Sequence, residues 1–337
     1  VKWGNSPADM SAITTPIPSQ ANQLRPFDVR KDLDAVAKLV ETCFADTLDE
    51  DGRRYVNHMH AASQNPGYLR WAMAVAENTP MPFSGFVWEE NGFLAGNLSL
   101  IPYRYRGQRC YLIANVAVDP AYRRRGIARS LTKAAIQHAH QRGIDEIWLH
   151  VRTDNDAAYN LYQSLGFSEQ AKRTTWEIKP LSGSNVTPEP STDSTGIHIT
   201  RPQLRYWDQY RQWLRSVYPP QFTWHHAFHL TALRPGLFGS LYRVFTASHI
   251  KQWAAQIGDR HIGLLAWQPH SRHADHLWFA STPPDESRVI SALMPHVLQQ
   301  LTNRRRLLLD FPAGRAILPL HETGFHIQQT LTWMRLA

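Results

Sequence analysis

The stretch "ANVAVDPAYRRRGIARSL", residues 114–131, sets four arginines, one glycine and small alanines between an apolar run and an amphipathic one. The apolar run ends at Asp119-Pro120, and a helix has to begin within a few residues. Residues Arg123 to Arg129 therefore occupy a loop turning into a helix N-terminus. Unpaired backbone N–H groups and the positive end of the helix dipole make such a place an anion site. Gly126 leaves the backbone open to a phosphate, Ala128 is nearly as small, and Arg123, Arg124 and Arg125 add charge. An arginine-rich surface turn is the plainer reading of the same residues.

Working outward, "CYLIANVAV" reads as a strand, Arg125 to Arg142 as a helix, "IDEIWLHVR" as a strand and "DNDAAYNLYQSLG" as a helix, with closing strands through "TTWEIK". A strand, helix, strand crossover makes its two strands parallel and the connection right-handed. Upstream, the spacing predicts a strand and one or two helices over residues 24–63, then "GFVWEE" and "FLAGNLSLIPYRY" joined by a turn at Asn91-Gly92. The class is α/β, a mixed β-sheet flanked by helices.

In "NDAAYNLYQSLGF", Asn155, Ala158, Tyr162 and Gly166 fall three, four and four residues apart. That spacing lines one helix face, so Asn155 and Tyr162 can face one ligand. The plainer reading of Tyr162 is a core aromatic. Together, Arg-x-x-Gly-x-Ala and this second pattern resemble the GNAT N-acetyltransferase superfamily, whose signature loop binds the pyrophosphate of acetyl-coenzyme A (acetyl-CoA). The resemblance implies the GNAT fold and a cofactor-binding set of Val116, Ala117, Val118, Arg123, Arg124, Arg125, Gly126, Ile127, Ala128, Arg129 and Asn155. Val116 and Val118 would pair their backbone groups with the pantetheine amides as an added strand would. It also implies that the Tyr162 hydroxyl sits near the thioester sulfur and protonates the departing thiolate.

Acetyl transfer to an amine needs the amine deprotonated and the thioester held beside it, with no covalent enzyme intermediate. Within the superfamily the ribosomal-protein alanine N-acetyltransferases show a comparable "NVAVDP" and a Trp-Leu-x-Val-Arg strand in which x is a glutamate base. Here x is His150, and an imidazole suits base work near neutral pH. A water chain or an acid from another loop would serve instead. The expected function is acetyl-CoA-dependent N-acetylation of a primary amine, on a peptide N-terminus or a small molecule. The alternative is a noncatalytic acyl-CoA-binding regulatory module.

The chain of 337 residues suggests two domains. Residues 1–22 read as a loose tail, 23–180 as the catalytic domain, and 181–196, rich in Pro, Ser, Thr and Gly, as a linker. Residues 197–337 read as a second, similar domain. Both halves begin with a strand near Arg-Pro and an amphipathic helix, and both end with Gly-Phe and a strand carrying Thr and Trp, a diverged internal repeat. The second copy is expected to be degenerate. It has no glycine between Gly263 and Gly314, Glu286 stands near the loop-arginine position, and Leu320 and Ala313 replace the tyrosine and asparagine. It is expected to pack against the first domain and to shape the acceptor site or bind a partner. A second triplet, Arg304-Arg305-Arg306, reads as a solvated loop.

Only two cysteines are present, too few for a disulfide framework, and no apolar run approaches the roughly 18 residues of a membrane span. No secretory signal is legible in "VKWGNSPADMSAITTP", so a cytoplasmic location without membrane is expected. A net charge of +8 suits an anionic partner, but no basic stripe is interleaved with aromatics, so nucleic acid ranks low. The scattered histidines bring no cysteine cluster or His-Glu-x-x-His, and no metal is assigned.

Overall fold

The computed structural model describes residues 23–337 apart from 49, 76–78, 80, 106, 180–195, 224–228, 247–248, 270–273 and 302–304. The tail at 1–22 and nearly all of the linker at 181–196 lie outside the described residues. The first half runs β1 (Gln23–Pro26), α1 (Val29–Phe44), α2 (Glu50–Ser63), α3 (Pro66–Val75), β2 (Ser84–Glu90), β3 (Phe93–Tyr105), β4 (Gln108–Val118), α4 (Ile127–Gln141), β5 (Ile147–Arg152), α5 (Asp156–Gln163) and β6 (Phe167–Ile178). The second runs β7 (His198–Thr200), α6 (Trp207–Val217), α7 (Pro220–Thr223), α8 (Leu237–Phe245), β8 (Lys251–Ile257), β9 (Arg260–Gln268), β10 (Asp275–Ser281), α9 (Glu286–Gln300), β11 (Leu307–Pro312), α10 (Ile317–Glu322) and β12 (His326–Leu336). The turn between β2 and β3 holds Asn91 and Gly92, both at positive φ, as a tight hairpin asks. Helix α3 was not foreseen, and the closing segment of the first half is one long strand, β6.

The twelve described strands form one sheet in the order β1-β2-β3-β4-β5-β12-β6-β11-β10-β9-β8-β7. Read inward from either end, each half lays down five of its own strands and then takes the last strand of the other. β12 pairs antiparallel with β5 and β6 with β11, while β6 and β12 pair with each other at the centre. The halves do not merely pack against one another as expected: they exchange their closing strands. β4–β5 and β10–β11 are the parallel pairs, bridged by α4 and α9.

The helices bury one stripe each. Ile127, Leu131, Ala135 and Ala139, four residues apart on α4, face the sheet with Leu98, Ile113, Leu149 and Tyr162. A Cβ on Gly96 of β3 would come within 2.7 Å of Ile127 Cγ2, so this glycine lets the start of α4 lie close to the sheet. In the second half a Cβ on Gly263 would reach 2.3 Å from Val289 of α9. On the other face, α1, α2 and α3 cover Phe83 and Val87, and Phe222 of α7 packs with Trp148 and Trp333.

Candidate active site

β4 pairs with β5 only over Tyr111–Ile113, opposite Ile147–Leu149; beyond that the parallel strands part. On the β3 side, the pairing passes from Ser99↔Ala114 to Asn97↔Ala117, three steps on β4 against two on β3. The extra residue is a bulge around Asn115, which takes φ +50°, a left-handed value that asparagine tolerates better than most residues. Asn97 Nδ2 donates to the Asn115 carbonyl at 2.9 Å, and Asn115 Nδ2 donates to the Tyr55 hydroxyl oxygen at 3.0 Å. Burial pushes the Tyr55 pKa up to about 12, so this hydroxyl stays neutral. The bulge returns Val116 and Val118 to the side occupied by Ile113 and leaves the β5-facing edge of residues 116–118 without a strand partner among the described residues.

At the end of β4, the Asp119 side chain accepts from the Ala121 N–H at 2.9 Å and starts a 3-10 turn over Pro120–Tyr122. Arg124 follows at φ +65° and Gly126 at φ +78°, the latter as the N-cap of α4 with no side-chain cap. From Arg124 through Arg129 no backbone N–H has an acceptor among the described residues; the next, Ser130, donates to Gly126 O at 3.0 Å. Open space surrounds the place where a Cβ of residue 126 would stand. This is a nest of donors at the positive end of a fifteen-residue helix.

The three arginines differ in what they touch. Arg123 Nε donates to the Val118 carbonyl at 3.2 Å. Arg125 pairs with Glu90 at 2.9 Å and lies over the Tyr122 ring, while Arg129 donates to Ser164 Oγ at 2.7 Å. Arg124 is exposed and has no partner among the described residues. Ile127 is buried, so only its N–H can serve the loop; Ala128 is half-buried.

His150 and Tyr162 lie on opposite sides of the parting strands. Leu149 and Val151 pack with Tyr162, whereas Trp148 packs with Phe222 and Trp333, and strand alternation puts His150 on the Trp148 side. The His150 ring meets Trp333 of β12, centroids 5.1 Å apart. His150 is exposed on β5, with one side of its ring against Trp333, and desolvation pushes its pKa down to about 4. Tyr162 is buried against Phe167, its hydroxyl without a hydrogen-bond partner among the described residues, and burial raises its pKa. Asn155 caps α5, its Oδ1 accepting from the Ala158 N–H at 3.1 Å, which leaves its amide nitrogen for any ligand.

The corresponding place in the second half is closed. β10 and β11 also part after three pairs, but there the Phe279 N–H donates to the buried Tyr218 hydroxyl oxygen at 3.0 Å. Arg173 of β6 reaches in, donating to Asp310 Oδ2 at 2.9 Å and to the Val217 carbonyl at 2.8 Å. At the start of α9 the buried Glu286 carboxylate holds Arg315, Nε to Oε2 3.1 Å. Leu320 is fully buried, and α10 begins at Ala316 without a side-chain cap.

Within the second arginine triplet, Arg305 is exposed as expected and Arg306 corrects the sequence reading. Arg304 is outside the described residues, but Arg306 is only 9% exposed and its Nε lies 3.2 Å from Glu177 of β6. It ties the two halves together instead of lying in solvent. Sequence reasoning also missed Tyr55, Asn97 and Trp333. An asparagine inside the apolar run of β4 is the one local signal that pointed to the bulge.

Residues 39–167 match the family described as acetyltransferase (GNAT) family. Among curated proteins, the [ribosomal protein bS18]-alanine N-acetyltransferase of Escherichia coli (strain K12) is 48% identical over 59 residues, 18% of this chain and 40% of that protein. A mycothiol acetyltransferase of Kocuria rhizophila is 31% identical over 150 residues, 44% of this chain and 46% of that protein. The chain thus spans less than half the length of these two relatives. A solved GCN5-related N-acetyltransferase from Sphaerobacter thermophilus superposes with a TM-score of 0.53 at 16% identity, covering 93% of this chain and 95% of that one. The fold is the GNAT fold, a mixed sheet flanked by helices.

Proposed function

We propose that the chain is an acetyl-CoA-dependent N-acetyltransferase, catalytic in residues 23–180, with residues 197–337 a degenerate second copy of the fold that completes the acceptor side. One observation carries this reading: the unpartnered edge of residues 116–118 opens directly into the run of free N–H groups from Arg124 to Arg129. An extended chain with amides and a pyrophosphate suits that pair of features. Val116 and Val118 would hold the pantetheine amides, and the loop N–H groups with Arg123, Arg124 and Arg125 would hold the pyrophosphate. When bound, acetyl-CoA supplies the activated acetyl group.

The rest falls to the chain's own side chains. Tyr162, kept protonated by burial, donates toward the departing sulfur from one side of the sheet. His150, neutral above about pH 4, accepts a proton from the amine, directly or through water, on the other. A base this weak suits an amine that is partly unprotonated already. An α-amino group ionises near 7.7–8.0 and a lysine amine near 10.4. This favours a peptide N-terminus or a comparably weak small-molecule amine. Trp333 and Phe222, both from the second half, floor the acceptor side. The reading uses no metal ion or nucleic acid and sets the protein in the cytoplasm; no described helix is long and apolar enough to cross a membrane.

A CoA-release assay over peptide α-amines, small-molecule amines and aminoglycosides tests the reading. Amine-dependent release supports it. Tight acetyl-CoA binding with no release above hydrolysis for any amine would replace it with the noncatalytic module.

A further inference from the structure

At the far end of the sheet, β7 pairs with β8 only through His198–Thr200, opposite Ala254–Gln256. Among the described residues the outer edge of β8 over Lys251–Trp253 has no neighbouring strand, and the chain turns away at Arg201-Pro202. A groove of about 740 Å³ opens there. Arg201, Arg243, Lys251 and His296 line it, and no Asp or Glu does. Arg201 has no ion-pair partner among the described residues, and the Lys251 ammonium lies 5.5 Å over the Trp267 ring, not beside a carboxylate. Gln252, also in the lining, buries an amide oxygen with no donor among the described residues.

The surroundings are apolar as well as basic. Pro235 and Gly236 in the groove wall lead into α8, which exposes Leu237 at 82% and Phe238 at 72%. A small anion would satisfy the charge but leave these side chains uncovered. An exposed strand edge, basic walls and an apolar margin together ask for an extended backbone with acidic and apolar side chains.

We propose that this groove binds an extended acidic peptide segment of a partner protein, added as a strand to the β8 edge at Lys251–Trp253. The edge lies six strand spacings from β5, about 30 Å at roughly 4.8 Å each, so the groove is separate from the transfer site and does not rest on the catalytic reading.

Fluorescence anisotropy of the full chain, without acetyl-CoA, tests this with a labelled alternating Glu–Val peptide. The probe is expected to bind at moderate salt, at least tenfold more tightly than a Lys–Val peptide and than the same Glu–Val peptide N-methylated at alternate residues. The double variant Arg201→Glu/Lys251→Glu is expected to bind it at least tenfold more weakly while keeping wild-type CoA release. Equal binding by the N-methylated peptide would reduce the groove to a charged surface and overturn the proposal. So would equal binding by the double variant, no binding of the probe, or displacement of the probe by a single-stranded RNA of matched charge.

Discussion

Trp333, on the last strand of the chain, stands directly opposite His150 in the register of β12 and β5, their ring centroids 5.1 Å apart. The candidate base of the first half is thus packed by a residue 183 positions further on. The second half, whose own cleft is plugged by Tyr218 and Arg173, contributes here through the exchanged strand.

Removing that partner changes the base before it changes the fold. Trp333→Ala is expected to cost about 3–5 kcal/mol of stability. It also uncovers the side of the imidazole that packs on Trp333, so the His150 pKa should climb from about 4 toward the ordinary 6.5, as read by NMR titration of the ring protons. A pKa that stays put would mean that Trp333 has no part in holding His150 desolvated.

The pH dependence of turnover follows from the same depressed pKa. His150 is already neutral throughout pH 6–9, so kcat/KM for a peptide α-amine should rise with the ionisation of the amine near pH 8, with no limb at 6.5. His150→Gln and His150→Ala should lower kcat on the order of a hundredfold or more. Wild-type rates for both across pH 6–8 would remove His150 from the reaction. Tyr162→Phe should lower kcat more than it raises KM for acetyl-CoA.

Arg173 and Asp310 form a buried pair across the exchanged strands, with side chains 4% and 14% exposed. Arg173→Met alone leaves the carboxylate unpaired and should cost about 3–5 kcal/mol in denaturant unfolding; Arg173→Met/Asp310→Leu should recover most of it. If the single variant unfolds like the wild type, the pair does not hold the halves together.

Strand exchange also predicts what cutting the chain does. Residues 23–180 alone keep β6 but lose β12 from between β5 and β6. By light scattering, that fragment should be associated or unfolded, and co-expression with residues 196–337 should restore a one-to-one complex. A monomeric fragment with the melting temperature of the whole chain would show that the halves fold independently.

Much of the candidate site's local geometry was legible because its determinants are local. A glycine at a helix start with a small residue two positions on, and an asparagine-capped helix carrying Tyr162, are fixed by neighbours a few residues away. The exchange was not legible for the opposite reason. β6 and β12 carry the same Gly-Phe, Thr and Trp signature, so sequence pattern cannot say which half each closes; long-range pairing decides it. Arg306 misled in the same way: its charge reads as surface, but its partner Glu177 comes from the other half.

Hydrogen-exchange mass spectrometry with and without acetyl-CoA tests most directly which half holds the ligand, and where. The account predicts slowed exchange over Val116–Arg129, where the free N–H groups gain acceptors, and no change over Asp275–Glu286. Protection appearing over Asp275–Glu286 instead, with Arg124–Arg129 unchanged, would contradict it.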